Sequence, residues 1–294
     1  MPREIEVKSV LNKTKRRDPW FLDDYTFNPY SSCAFNCLYC YIRGSKYGSN
    51  LEQSLSVKTN AIKLLEKQLS SRAKKRQHGI IVLSSATDPY LKIEEEYRLT
   101  RQALEIILKY RFPVHIITKS DLVIRDFDLL HEIDKEAILP SDLELLGRGT
   151  IISFSFSTLL DEVAKVFEPG ATPPTQRLKA LKQSIEKGFL SGVSFMPLLP
   201  YISDTKQQLE LAFQTFQSLK INHIFPATLT LYGNEKASSK TLVLNAIEKY
   251  YPELMPKYQK FFQFDHQLPL HYRKAFDKKM KEMLLEYSLK ARII

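Results

Sequence analysis

The part of this chain best suited to chemistry is one short segment, Asn28-Pro29-Tyr30-Ser31-Ser32-Cys33-Ala34-Phe35-Asn36-Cys37-Leu38-Tyr39-Cys40-Tyr41. It holds all three cysteines of the 294-residue sequence. Their spacing is C-x-x-x-C-x-x-C. Three thiolates so close together form a soft donor set, suited to an iron–sulfur cluster, to zinc or to Cu(I), and poorly suited to a hard cation. A cubane cluster ordinarily takes four cysteines, one for each iron. With three, one iron lacks a protein ligand, and an open metal position is where a small molecule binds and reacts. The spacing points to a reactive cluster rather than an electron store.

Blander readings compete with this one. Cysteines at these intervals would also share one face of a helix as small buried apolar residues. The turn formers Pro29, Ser31, Ser32 and Asn36 weigh against a continuous helix through Cys33. A disulfide with one spare thiol is disfavoured by the odd count and by a chain long enough not to need staples. A structural zinc site would want a fourth ligand close by, and no histidine precedes His78. A non-catalytic protein that carries zinc or a cluster and binds nucleic acid stands as the alternative.

Whatever the loop holds, regular elements must position it. Residues 1–20 are polar and basic, and Asp18-Pro19 marks a turn, so they read as an N-terminal arm. Tyr25-Thr26-Phe27 reads as a short strand entering the cysteine loop. The spacing of Ala61, Leu64, Leu65 and Leu69 fits an amphipathic helix. Ile80 to Leu83 and Val114 to Thr118 read as buried strands, each followed by a helix: Leu99 to Ile107, with Glu94-Glu95-Glu96 as a solvated first turn, and Asp126 to Ile133. Ile151 to Phe156, Gly192 to Pro197 and Ile224 to Leu229 read as further strands. They are separated by helices from Thr172-Pro173-Pro174 to Gly188, with Thr172 as cap, and from Asp204 to Leu219. About six strand–helix units in alternation argue for a parallel sheet with helices outside. In such folds sites gather at the carboxyl ends of the strands, where the cysteine loop falls. After about Gly233 the pattern changes to helices rich in lysine and aromatics, read as a lid, a substrate surface or an aromatic core.

Composition sets outer limits. The apolar runs are too short to cross a bilayer, and the start lacks the apolar stretch of a signal peptide, so the expected location is cytoplasmic, without a membrane. Lys and Arg number 43 against 33 Asp and Glu, a formal charge of +10. That favours an anionic partner such as nucleic acid. No Gly-rich phosphate loop or serine elbow is present. Of the six histidines, His115 reads as a satisfied core residue, and His266 with His271 lacks a third ligand.

The cysteine motif, with Tyr39 in its aromatic place, resembles the radical S-adenosylmethionine (SAM) superfamily. Cys37-Leu38-Tyr39-Cys40-Tyr41 resembles more narrowly spore photoproduct lyase and its uncharacterised relatives. The likeness continues in Ser84-Ser85-Ala86-Thr87-Asp88-Pro89-Tyr90, Ile117-Thr118-Lys119-Ser120 and Glu168-Pro169-Gly170, and covers roughly residues 25–235. It implies an α/β fold, a partial (β/α)6 TIM-like barrel of the radical SAM type over residues 21–235, followed by a C-terminal helical extension over residues 236–294. It also implies an iron–sulfur enzyme whose [4Fe-4S] cluster sits on Cys33, Cys37 and Cys40. One electron, from a donor such as flavodoxin or ferredoxin, would cleave SAM to methionine and a 5′-deoxyadenosyl radical that takes hydrogen from a substrate; nucleic acid is the expected class.

The same resemblance assigns candidate residues. Ser84, Ser85 and Thr87 stand where the family binds the SAM amine, and Lys119 matches a lysine that meets the SAM carboxylate. Ser153 and Ser155, on one face of a strand by alternation, would reach ribose or carboxylate, with Arg177 a further candidate. Tyr39 would lie beside adenine, and Tyr39 and Tyr41 match tyrosines linked to returning the hydrogen atom. In spore photoproduct lyase a cysteine near the end of the second strand donates that atom. Here the place reads Ser84-Ser85-Ala86 and the chain has no fourth cysteine, which implies a lyase-like enzyme with a different substrate or terminator.

Overall fold

The computed structural model describes residues 2–46, 55–83 and 87–294. Two short strands, β1 (Arg3–Ile5) and β2 (Leu11–Lys13), come first, then β3 (Tyr25–Phe27) and β4 (Tyr30–Ser31) around the entry to the cysteine loop. After the loop come β5 (Ser56–Lys58), α1 (Ala61–Lys74), β6 (Ile81–Leu83), the single turn α2 (Glu94–Tyr97), α3 (Leu99–Lys109), β7 (Val114–Thr118) and α4 (Phe127–Glu136). The barrel part ends with β8 (Thr150–Phe156), α5 (Asp161–Phe167), α6 (Pro174–Glu186), β9 (Leu190–Phe195) and α7 (Lys206–Ser218). Last come α8 (Ser239–Tyr250), α9 (Met255–Phe261) and α10 (Leu270–Glu286).

The main sheet runs β2-β3-β6-β7-β8-β9. From β3 onward neighbours are parallel, while β2 adds to the edge antiparallel. The result is an incomplete, open α/β barrel. Every residue of β8 is buried, as a strand covered on both faces requires. Its alternation sorts the core: Ile152, Phe154 and Phe156 join the layer between sheet and helices, while Ile151 joins a second cluster with Val82, Phe225 and Ile293. On the outer layer, α1 buries Ala61, Leu65 and Leu69, four residues apart, which is the helical stripe the sequence shows.

The expected strand at Ile224 to Leu229 is present only as bridges, Val193 to Ile224 and Leu198 to Thr228. Backbone bonds link it to β9 at Phe225 N–H to Val193 O (2.8 Å) and to the residues after β9 at Leu198 N–H to Ala227 O (2.9 Å). Pro197 and Pro226 carry no N–H, so the ladder cannot be continuous. The chain end runs along its far side, where Ile224 N–H donates to Lys290 O (2.8 Å) and Ile293 is buried among the inner cluster.

Two parts of the chain are more tightly built in than the sequence implies. Residues 1–20, read above as an arm, carry β1 paired with β5 and β2 paired with β3, and Trp20 stacks on Phe225 at 5.4 Å. Residues 236–294 have no core of their own. Phe276, Met280 and Met283 of α10 join the barrel's outer layer, and α8 and α9 share a cluster with Tyr39, Phe167 and Leu199. The cap of α6 also shifts by one: Pro173 is the cap and Pro174 the first helical residue, while the Thr172 hydroxyl goes to Asp121.

Inside the barrel, away from the cysteine loop, two imidazoles share one serine. His115 Nδ1 donates to Phe21 O (2.8 Å), which makes its Nε2 an acceptor for the Ser153 hydroxyl (2.7 Å). Ser153 Oγ then accepts from His223 Nε2 (2.7 Å). Gly192 leaves room for His223, because a Cβ there would overlap its ring and carbonyl. Burial lowers both imidazoles, His115 to about 4. Below the ordinary value of 6.5 the unfolded chain then binds protons that the folded chain refuses, so stability falls as pH drops from 6.5 towards 4. One such histidine is worth about 3 kcal/mol over that window. Thermal melts between pH 7.5 and pH 4.5 should show this fall, and His115→Gln should make it shallower. An acid slope unchanged in the variant would show that His115 does not cause it.

Candidate functional site

The cysteine loop leaves β4 through residues that suit tight bends. Ser32 and Asn36 adopt left-handed backbone (φ +65° and +53°), and Cys40 N–H bonds to Cys37 O (3.3 Å) in a further turn. Cys33, Cys37 and Cys40 are all free thiols and half-buried. They lie within electrostatic reach of one another, since each of the other two charges weighs on the Cys37 thiol. Burial, helped by the Asp88 carboxylate, pushes the Cys33 thiol up to about 12. Cys37 is raised further by burial, with the Lys119 ammonium working in the opposite direction. Thiols so placed hold their protons until a metal displaces them.

Three bonds from the segment after α5 clamp this loop. Leu38 N–H donates to Phe167 O (2.9 Å), Gly170 N–H donates to Phe35 O (3.0 Å), and the Tyr39 hydroxyl donates to the Glu168 carboxylate. Glu168 also accepts from the Ser157 hydroxyl (2.8 Å) and forms an ion pair with Arg177. Both partners of that pair are fully enclosed, and the other arm of Arg177 donates to Ser155 O (2.5 Å). Arg177, Lys119 and the two hydroxyls outweigh burial and hold the Glu168 carboxyl below its ordinary value.

A second buried acid fixes the opposite wall. Asp88 accepts from Tyr90 N–H (2.9 Å), the Thr118 hydroxyl (2.7 Å) and Lys119 N–H (2.8 Å), which pins the end of β7. Burial raises its carboxyl although these donors oppose the rise. The Lys119 ammonium, so anchored, stands 5.9 Å from the centre of the Tyr39 ring.

Of the residues singled out by sequence, the structure brings together Cys33, Cys37, Cys40, Tyr39 and Lys119. Ser84 and Ser85 lie outside the described residues. Thr87 stands with its hydroxyl 3.5 Å from Asn28 Oδ1, beside the loop's entry. Ser153 is elsewhere, its hydroxyl engaged by His115 and His223. Ser155 is buried and meets Arg177 through its carbonyl. Arg177 does not decorate a helix surface; it is enclosed behind the loop as partner of Glu168. Tyr41 keeps 42 % of its surface in solvent, in contrast to Tyr39 with 5 %.

Three acids matter more than the sequence reading allowed. Glu94, read as part of a solvated turn, is fully buried and accepts from the Tyr30 hydroxyl, Thr100 N–H (3.0 Å) and Arg125 (2.7 Å). It thereby ties the start of α3 to the strand that feeds the cysteines. Asp88 and Glu168 lie in the quoted motifs but received no role. The available signal was an acid directly before proline, Asp88-Pro89 and Glu168-Pro169, at the exit of a strand or helix.

Gly170 shows how close the clamp is. A Cβ there would overlap Ala34 O and stand 2.9 Å from Phe35 Cα, both backbone. Gly170→Ala should therefore force the loop outward and cost about 1–3 kcal/mol, as overpacking does. Chemical denaturation of the metal-free protein measures this, and an unchanged midpoint would show that the clamp is loose.

With this geometry in view, comparison with known proteins is informative. The family model of the Radical SAM superfamily matches residues 27–211. Among curated relatives, an uncharacterized protein of Mycobacterium tuberculosis (strain ATCC 25618 / H37Rv) is 24% identical over 292 residues, covering 97% of this chain and 81% of the relative. An uncharacterized protein of Methanocaldococcus jannaschii is 28% identical over 270 residues, covering 84% and 93%. A phage relative, the Radical SAM Nalpha-GlyT isomerase of Pseudomonas phage M6, is 22% identical over 210 residues, 71% of this chain and 40% of that protein. Among solved structures, spore photoproduct lyase complexed with a dinucleoside spore photoproduct superposes with TM-score 0.64 at 14% identity, over 97% of this chain and 78% of that one. Streptococcus suis SuiB bound to its precursor peptide SuiA gives 0.53 at 13%, over 91% and 47%. The cysteine loop, the incomplete barrel that carries it and a family match over most of the barrel lead to one conclusion: the chain belongs to the radical SAM superfamily.

Proposed function

We propose that this protein is an iron–sulfur enzyme that binds a [4Fe-4S] cluster through Cys33, Cys37 and Cys40 and cleaves SAM reductively. The observation that carries the proposal is a set of three free thiols on one loop, in electrostatic reach of each other, in a chain with no fourth cysteine. Such a donor set fits a cubane with one iron left for a small chelating ligand. Among the described residues, no group of three His, Cys, Asp or Glu is arranged to hold a single metal ion. A zinc site needs four ligands around one point, whereas thiolates of a cluster each bind a different iron, so the cluster is the better fit.

One-electron scission of the sulfonium S–C5′ bond, giving methionine and a 5′-deoxyadenosyl radical, is the chemistry that the cluster and SAM would supply when bound. The protein's own residues have simpler tasks. The Lys119 ammonium, held by Asp88 through its backbone, offers a cation to the SAM carboxylate, and Thr87, with Ser84 and Ser85, offers polar groups to the amine. The buried Tyr39 ring gives adenine an apolar face. Tyr39 and Tyr41 are the proposed routes for returning hydrogen, with the Tyr39 phenol already committed to Glu168 and the Tyr41 ring open to solvent. A small electron carrier such as flavodoxin or ferredoxin would supply the electron, and the reducing cytoplasm is the setting that such a site requires. Among the described residues, no helix is long and apolar enough to cross a membrane.

For the substrate we propose nucleic acid, supported by the +10 formal charge. A target base would have to leave its stack to reach a buried radical. Anaerobically reconstituted protein given dithionite and SAM should release 5′-deoxyadenosine, and Cys37→Ala should fall to background. Intact SAM with a fully loaded wild-type sample would overturn the assignment. Binding of labelled DNA or RNA should weaken steeply and linearly on a log–log plot against salt; absence of binding at low salt would remove nucleic acid as the substrate.

A further inference from the structure

We infer that Glu168 is the positioning residue of the cysteine loop: through the Tyr39 hydroxyl it fixes Cys37 and Cys40 relative to the barrel, and its charge sets how readily the bound centre accepts an electron. This rests on the cluster assignment above. The geometry is unusual for a residue with only a fold to hold. Tyr39 lies two residues after Cys37 and one before Cys40, and its hydroxyl ties the loop to the 167–170 segment through Glu168. Its anchor is itself anchored, since Glu168 is held by Ser157 and by an Arg177 that reaches β8 at Ser155 O. A motion of the loop would have to break a charge-assisted bond in an enclosed site, and such bonds are the strong ones.

The charge of Glu168 is also held in place by its neighbours. A carboxylate enclosed at 2 % exposure needs compensation, which Arg177 and Lys119 provide. Through the Tyr39 hydroxyl it is joined to the residue that stands two after Cys37 and one before Cys40, so its charge lies next to the stretch that carries both thiols. A neutral amide in its place would leave the enclosed Arg177 guanidinium without its counter-charge and would offer the Tyr39 hydroxyl a weaker, uncharged acceptor. A retained negative charge bonded to the loop that would hold the centre makes addition of an electron harder, as outer groups around metal centres do in general. Glu168 thus has two separable effects, one on the hold of the loop and one on reduction.

The test uses the anaerobically reconstituted wild type, Tyr39→Phe, Glu168→Gln and the double variant. Two readouts are the rate of iron loss to a chelator and the midpoint potential by EPR-monitored redox titration. A lost hydrogen bond to a buried charge should speed iron loss in Tyr39→Phe by about ten-fold or more. Glu168→Gln should also lose iron faster, should have a more positive midpoint than wild type, and should add nothing further in the double variant, because the two residues act through one contact. The midpoint of Tyr39→Phe should move much less, since the charge remains. Iron loss at the wild-type rate in Tyr39→Phe, or effects that simply add, would overturn the positioning role, and an unshifted midpoint in Glu168→Gln would overturn the charge role. Should Glu168→Gln fail to fold, Tyr39→Phe still decides the first. If wild type itself takes up no iron, the cluster assignment fails instead.

Discussion

The structure depends on holding a loop of soft donors against a rigid frame by contacts other than those of its sulfurs. Three thiols within a short segment could pair with each other or collapse into the core. Here the backbone of the loop is held at Phe35 and Leu38 and its aromatic side chain at Tyr39, so the sulfurs need make no bond to stay in place. The clamp comes from one short segment, 167–170, and works only because its glycine brings two backbones together. The ion pair behind it, Arg177 with Glu168, is a poor source of net stability by itself, since its desolvation offsets much of its attraction. It does impose one geometry, because a carboxylate in that enclosure has few other partners to choose.

The barrel gives this clamp its rigidity. Parallel strands β6, β7 and β8 end close to Asp88, Lys119 and the Ser155–Ser157 stretch, so the groups facing the loop are fixed by the sheet's hydrogen bonds. The sheet does not close by a full ladder. Its last partner is interrupted by prolines, and the interior is filled from below by Trp20, Phe225 and Ile293 and by the His115–Ser153–His223 chain. Neutral imidazoles suit that place, since His115 donates once and accepts once, His223 donates to Ser153, and neither leaves a charge in a dry interior.

Much of this was legible in the sequence. The cysteine spacing, the alternation of strands and helices, and the placing of the loop at a strand's carboxyl end follow from periods and turn residues that local rules describe. His115 was also legible as a core residue. What escaped depends on distant pairings. Nothing local to Glu94-Glu95-Glu96 distinguishes the first glutamate, which is buried because Tyr30 and Arg125 arrive from elsewhere. Ser153 looks like a ligand by alternation, but alternation gives a face and not a depth, and at its depth two histidines meet it. Arg177 follows the same logic. A cation on a helix facing a sheet is surface decoration unless a buried acid awaits it, and that acid lies on another element. The strands β1 and β2 were hidden by polar sequence, since edge strands of three residues carry little apolar pattern.

The fold carries no instruction about the substrate. Proteins that share it at low identity are captured with a dinucleoside in one case and a peptide in the other. Selectivity must then lie in what surrounds the cysteine loop, and in this chain part of that surround is the extension. Its helices α8 and α9 pack in one cluster with Tyr39, and Ser239 N–H bonds to Arg43 O (3.2 Å) just beyond Cys40, so the extension and the cysteine loop form one wall. Over residues 236–294, Lys and Arg outnumber Asp and Glu by twelve to six, which places most of the chain's excess positive charge there. The excess is uneven, since residues 236–269, with α8 and α9, carry five Lys against three Asp and Glu, whereas residues 270–294 carry seven Lys and Arg against three on the helix that packs into the barrel's outer layer. The strongest field of the extension therefore lies away from its contact with the cysteine loop.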